Sequence, residues 1–427
     1  MLLWLVLVTT VQPTTLITPP FRHTLGFNRI GRMLVSMYLG PSFRVSDPQG
    51  LCAAKMIDED DTTTYRDDHV LTIFAVNSGT GQILYNVKLL EPKVFGSEGS
   101  GVGQFRRPHG ICCTPGGDVY VADTDNNRLV RLHYADTRLS WVGVVDSGLA
   151  APRDVAVDSR GRVYVTDTGN DRIRVYSPEG VLLASWEGEL EQPSGITVID
   201  HEAPFNIFGE EYAAVMDREG TRINQLTLSG KVIRRIDCRR LGLDTAGFSY
   251  GAVDIHGNLY VTDRVWNEIH VFDPGLRYVV SFGRNAGQSV LNSPRGIAIW
   301  RRFGQVFVAE ADGGSYFWIG LDGYFIGCFP PQFASDTPGT TIAIYITEVA
   351  DVEVEITDST GTVVRRLAPP HQQRPGEVLI VWDGRDDRGS LVPEGVYTVK
   401  AIIRPTYSRP KYTLRKELTG RVVRVPG

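Results

Sequence analysis

Cysteine is scarce in this chain and carries no pattern. Its five cysteines, Cys52, Cys112, Cys113, Cys238 and Cys328, include no C-x-x-C pair, so neither a zinc-binding spacing nor a disulfide framework is present. Neighbours along a strand face opposite ways, and Cys112 and Cys113 are expected as separate buried thiols. Long apolar runs are also missing. The N-terminal M-L-L-W-L-V-L-V falls well short of the roughly 18 residues that a membrane-spanning helix needs. Within residues 1–20 it reads as the core of a secretory signal peptide, with a first buried strand as the alternative; no Lys or Arg precedes it. Charge of one sign is lacking too. A formal net charge of -5 creates no global field that would recruit nucleic acid, and none is expected as a partner. The motifs G-x-S-x-G, G-x-x-x-x-G-K-[ST] and H-E-x-x-H are absent, which removes the familiar nucleophile, phosphate and metalloprotease signatures. Helical periodicity is not evident in the first 330 residues.

What the chain does have is repetition. Pro108 opens P-H-G-I-C-C-T-P-G-G-D-V-Y-V-A-D-T-D-N-N-R-L-V-R-L, and Pro152 opens P-R-D-V-A-V-D-S-R-G-R-V-Y-V-T-D-T-G-N-D-R-I-R-V-Y. Tyr120 and Tyr164, Asp123 and Asp167, and Arg128 and Arg172 fall at equal offsets from their prolines. Weaker openers stand at Pro48, Pro193, Phe248 and Pro294, with Asn77, Asp217, Asp263 and Glu310 at the position of the repeated aspartate. Each unit reads as four short strands rich in β-branched and aromatic residues, separated by Gly-centred turns. A period of about 40–50 residues built this way is a propeller blade. Six openers predict an all-β, six-bladed β-propeller over residues 21–330. How its ring closes is open between R-M-L-V-S-M-Y-L-G, at 32–40, and Y-F-I-G-C, at 324–328, as the last outer strand.

Beyond a boundary expected at 330–338 the pattern changes to period-2 alternation, as in T-T-I-A-I-Y-I and V-E-V-E-I-T-D. This predicts a small antiparallel β-sandwich over 336–427. Trp382 is its expected core anchor, and W-D-G-R-D-D-R-G-S is a turn-rich loop whose carboxylates bond backbone N–H groups.

The string P-x-G-I/V-A-V-D-x-x-G-x-V-Y-V-x-D-T-x-N-x-R-I resembles the NHL repeat. It is carried best by 108–132 and 152–176 and more weakly by 48–87, 193–228, 248–272 and 294–319. The resemblance implies a six-bladed propeller, as the strand pattern does. The segment D-S-T-G-T-V-V-R-R-L at 358–367, Trp382 to Asp386 with Gly389, and P-E-G-V-Y at 393–397 resemble the immunoglobulin-like domain of FlgD proteins. That resemblance implies a module of exported or surface-located bacterial proteins.

Opener loops converge on one face of a propeller, so the residue after each opener should border the axial mouth. Round the ring these are Gln49, His109, Arg153, Ser194, Ser249 and Arg295, followed by Gly50, Gly110, Asp154, Gly195, Tyr250 and Gly296. Gln49, His109, Arg153, Asp154, Ser194, Ser249, Tyr250 and Arg295 are the candidate binding residues, a polar and mildly basic set suited to a peptide, glycan or protein ligand. The peptidylglycine amidating lyase, which is similar in its repeats, holds zinc through P-H-x openers of three blades. Only His109 matches here, and one His cannot supply three protein ligands. No metal, cofactor or catalytic residue is therefore assigned. The expected function is a binding or scaffold module. The alternative is a lyase or hydrolase with His109 as base and Arg153 or Arg295 as electrostatic stabiliser.

Asp123, Asp167, Asp217 and Asp263 recur once per blade, usually with an Arg five residues on (Arg128, Arg172, Arg222), and repetition argues for a structural turn-fixing role. His69, His133, His201, His256 and His270 lack ligand spacing and are expected on the surface or in turns. Arg22, Arg29, Arg32 and the cluster Arg234, Arg235, Arg239 and Arg240 form the one basic grouping considered for phosphate contact, and it is set aside as a solvated face.

Overall fold

The computed structural model describes residues 16–17, 29–60 and 70–426, except 207, 286–287, 290, 303, 320, 322, 335–337, 348, 375 and 407–414. Two compact units divide between Trp318 and Ile319. Nearly all of the expected signal segment, and His69 and Arg22, lie outside the described residues.

The first unit is a six-bladed β-propeller. Blades one to five are antiparallel four-stranded sheets whose strands follow chain order from the axis outward. Blade two shows why these residues make them. Ile111–Cys113, Asp118–Asp123, Arg128–Ala135 and Arg138–Asp146 are rich in β-branched and aromatic residues; the second strand is buried on both faces between neighbouring blades, while the third and fourth bury alternate residues. The D-T-x-N turns end in Asn127 and Asp171, both at φ 52°, a left-handed conformation that short Asx side chains tolerate. Each inner strand packs beside that of the next blade, and the sixth, Ile297–Trp300, beside the first, Pro48–Ala54. The ring is closed.

Closure differs from both expected routes. The last blade is built from Ile297–Trp300, Gln305–Glu310 and Gly313–Ile319, and its outer position is filled by Leu16–Ile17 and Arg29–Gly31 from the start of the chain. Arg29 stands opposite Ser315 and Gly31 opposite Gly313. The 32–40 segment instead holds an α-helix, Arg32–Leu39, contrary to the expectation of no helix. Gly31 and Gly40 bracket it and Val35 is its one β-branched residue, so the run is free to wind. The 324–328 segment belongs to the other unit: Gly323–Phe329 pairs with Thr340–Ile346. The boundary thus lies at 318/319, ahead of the expected 330–338.

The second unit is a β-sandwich. One sheet orders Gly323–Phe329, Thr340–Ile346 and Gly376–Trp382; the other orders Gln332–Phe333, Lys416–Arg424, Gly395–Pro405, Ala350–Thr357 and Val363–Leu367. Trp382 is fully buried between Phe333 and Tyr397, with ring centroids 5.4 and 5.3 Å away. Its indole N–H donates to Arg385 O at 2.9 Å. In the following loop Asp383 accepts from Arg385 N, and Asp386 from Arg388 N and Ser390 N.

Candidate functional site

The opener strands approach so closely at the axis that four blades leave room only for glycine. A Cβ on Gly50 would lie 2.7 Å from His109 O, one on Gly195 2.0 Å from Ser249 O, and one on Gly296 2.5 Å from Gln49 O. On Gly110 it would meet Asp154 at 2.4 Å. Blades three and five carry Asp154 and Tyr250 at this position instead. These two line the axial cavity of about 180 Å³, together with Cys52, Cys112 and Cys113 and, on the residue following the last inner strand, Arg301. The expected ring of mouth residues is therefore displaced by one. Side chains alternate along a strand, so Gln49, His109, Arg153, Ser194, Ser249 and Arg295 turn away from the cavity and form a rim beside it.

The rim is strongly interconnected. Thr124 donates its hydroxyl to Pro152 O at 2.7 Å, so its oxygen is left to accept from His109 Nδ1 at 2.9 Å. Arg107 O lies 2.9 Å from the same nitrogen. The proton is thereby assigned to Nδ1, and the Nε2 lone pair accepts from Arg153 Nη1 at 3.0 Å. Burial, followed by the charge of Arg153, lowers the His109 pKa to about 4, so the ring is neutral at physiological pH. On the far side, Arg295 donates to Asp47 Oδ1 and, at 3.0 Å, to Pro48 O. Gln49 Nε2 reaches Asp47 at 3.0 Å, and the Tyr250 hydroxyl reaches Gln49 Oε1 at 3.3 Å. Burial works to raise the Asp47 pKa, but its bonds to Arg295 and Gln49 outweigh that and hold it below the usual value. Ser194 and Ser249 bond backbone carbonyls, Met216 O and Gly247 O.

Asp154 is enclosed, accepting from Val155 N and Ile196 N at 2.9 Å each. Its burial raises its pKa to about 8 against the pull of those two bonds. Arg107, Arg153 and Arg264 are exposed, the last bonded through its backbone N–H to Gly247 O beside the blade-five opener, and none has a carboxylate partner among the described residues. Arg218 is paired with Glu191 at 2.6 Å.

The repeated aspartates lie at blade turns, away from the axial cavity. Asp123 accepts from Arg128 Nε at 2.8 Å and Arg106 N at 2.8 Å. Asp167 repeats this with Arg172 at 2.8 Å and Ala150 N, and Asp217 with Arg222 Nε at 2.7 Å. In blade five Asp263 takes backbone N–H groups of Gly247 and Val265 and the ring of His270 instead. His270 and His256 are both buried. His256 lies in the turn closed by Gly257 N on Asp254 O, as a turn residue was expected to, whereas His270 is not at the surface but in the third strand of blade five, opposite Val261, where blades three and four have Arg174 and Asn224. Of the basic cluster, Arg234 and Arg235 are bonded within blade four to Gln225 and Asn224.

Thr124, Arg107 and Asp47 escaped the sequence reading. The first was legible: Thr168, at the equivalent place, donates to Pro193 O at 2.6 Å, so in blades two and three the Thr of D-T fastens the blade to the next opener. Among the described residues no three His, Cys, Asp or Glu side chains gather in a metal-binding arrangement.

A closed six-bladed propeller with a polar rim, and a β-sandwich with a buried Trp, define the class of protein. More particularly, the chain carries NHL repeats and a FlgD Ig-like domain: the NHL repeat model matches residues 105–132 and 149–176, and the FlgD Ig-like domain model residues 332–403. NHL repeat-containing protein 3 of Homo sapiens is 35% identical over 103 residues, which is 22% of this chain and 29% of that protein. The E3 ubiquitin-protein ligase TRIM32 of Homo sapiens is 32% identical over 120 residues, 25% of this chain and 18% of that protein. The match thus spans less than a third of the length of either relative. Among solved structures, virginiamycin B lyase from Staphylococcus aureus aligns at a TM-score of 0.43 with 16% identity, covering 58% of this chain and 77% of that one. A gluconolactonase from Xanthomonas campestris aligns at 0.47 with 13% identity over 73% and 99%. PorZ, a surface component of the type-IX secretion system of Porphyromonas gingivalis, aligns at 0.45 with 14% identity over 92% and 54%.

Proposed function

We propose that this is a binding scaffold, exported by a bacterium, that holds an acidic stretch of a peptide, glycan or protein partner against the opener rim of its propeller. The observation that carries this reading is Arg153, exposed yet fixed in place by the neutral His109. With Arg107 beside that ring and Arg264 further round the face, it presents cationic donors that no carboxylate neutralises among the described residues. Pre-positioned guanidinium groups suit bidentate recognition of carboxylates or sulfates. The export part rests on the apolar N-terminal run and the FlgD Ig-like match. The catalytic alternative is supported less well, because the one His lone pair that could act as base is taken up by Arg153 and burial holds the ring's pKa near 4.

Arrays of acidic and neutral peptides and glycans test this. An acidic class should be retained, and its affinity should fall about tenfold or more in Arg153→Glu and decline with added salt. Retention indifferent to both charge reversal and salt would overturn the reading.

A further inference from the structure

The seam between blades six and one holds an apolar cluster of Leu51, Leu71, Phe307 and Ala309 but lacks two side chains that the matching positions of other blades carry. In blades two to five the position two before the strand-end aspartate is Val121, Val165, Val215 and Val261, and in blade six Val308; in blade one it is Ala75. One step into the third strand, blades one to five bury Ile83, Leu129, Ile173, Ile223 and Ile269 completely. Blade six has Gly314 there, opposite Ala309. A valine side chain and an isoleucine side chain are thus replaced by a methyl and a hydrogen at the one junction where the ring ends meet. The result is a cavity of about 190 Å³, with Ala75, Ala309 and Gly314 in its wall and Leu34 and Val35 of the Arg32–Leu39 helix closing it from outside. Tyr38 and Leu90, both about half exposed, stand where it meets solvent.

The wall carries one unanswered polar atom. Asn77 is fully engaged with Ser46, Arg44 and Thr80, but the side-chain oxygen of Asn86 is buried without a hydrogen-bond partner. A buried acceptor left alone is costly, and a wall otherwise this apolar gives water too few partners to be held. An apolar cavity of roughly 150 Å³ is enough to admit a benzene ring.

We propose that this seam is a binding site for a small apolar molecule with a single hydroxyl, of the size of a monocyclic phenol, whose ring replaces the missing Val and Ile side chains and whose hydroxyl donates to Asn86. The site is separate from the opener rim. The probes are p-cresol and toluene, equal in shape except for the donor, titrated into the full chain by calorimetry. One p-cresol should bind per chain, about tenfold or more tighter than toluene. Ala75→Val restores the residue of the other blades, and Ala309→Met copies Met216 of blade four; in either variant, shown folded by circular dichroism, p-cresol affinity should drop at least about tenfold. Asn86→Leu should abolish the preference for p-cresol over toluene. Absence of saturable binding by both probes, or equal p-cresol affinity in the parent and in a folded filled variant, would overturn the proposal, as would a preference that survives Asn86→Leu.

Discussion

His109 and Asp154 are adjacent-blade groups whose burial favours the neutral form of each, which shifts their pKa values in opposite directions. The His109 pKa is lowered from 6.5 to about 4 by burial and by Arg153. The stability it contributes is present above about 6.5 and is lost as the pH falls through about 4. The Asp154 pKa is raised from 3.8 to about 8 by burial, so its contribution is full below 3.8 and is lost as the pH rises through about 8. Urea unfolding of Asp154→Asn and of the parent, in steps from pH 5 to pH 9, should show the variant gaining on the parent by a few kcal/mol as the pH rises. A difference that stays flat across that window would place the carboxylate in its ionised form throughout. A second contrast separates buried from exposed pairing. Arg222 and Asp217 are both buried, so Arg222→Ala strands a carboxylate and should cost about 3–5 kcal/mol in urea unfolding. Arg160 pairs with Glu202 in the open, both side chains more than half exposed, and Arg160→Ala should leave the midpoint unchanged.

At the level of strands and turns, the blades were legible because each repeats the same strand alternation and a polar Asp, Asn or Glu at the strand end, with the full D-T turn in blades two and three, and the closure was not, because it repeats nothing. Arg29–Gly31 is three residues long, too short to carry a period, and its partner is specified by a close approach instead of a pattern. A Cβ on Gly313 would come 1.8 Å from Ile30 O, so the pairing depends on that glycine. Gly313→Val should expel the N-terminal strand, expose the edge of blade six and raise the tendency to associate. Hydrogen exchange should then quicken at Ile30 and Gly31 while the middle strands of blades two to four keep their protection. Unchanged exchange at 30–31 would show that the strand is held by something other than this contact. The rim was legible to within one residue. Composition and spacing named the right turns, but strand alternation decides which neighbour meets the axis, and only the glycine collisions reveal that Asp154 and Tyr250 do. The helix at 32–39 was missed since its apolar run reads equally well as a strand until the flanking glycines are given weight.

For the molecule as a whole, the informative feature is that the hydrophobic core of the sandwich is made of its own residues. The cluster around Ile342, Ile344, Val354, Ile380, Trp382, Tyr397 and Val422 draws every member from 321–422, whereas the propeller's clusters lie between successive blades. Blade-to-blade packing couples neighbours in a ring, so the propeller should unfold as a cooperative body; the sandwich has a complete core with which to unfold on its own account. Trp382→Ala tests this division. It removes the largest fully buried side chain among the described residues and leaves Arg385 O without its indole donor, a combined loss of about 3–5 kcal/mol for large-to-small core truncation. Differential scanning calorimetry of the parent should resolve two transitions, and the variant should shift the smaller, sandwich transition downward by tens of degrees or abolish it. The propeller transition should stay in place, and binding at the opener rim should persist with it. If Trp382→Ala lowered a single transition for the whole chain, the two cores would be energetically one, and the sandwich would have to be regarded as part of the scaffold that shapes the rim.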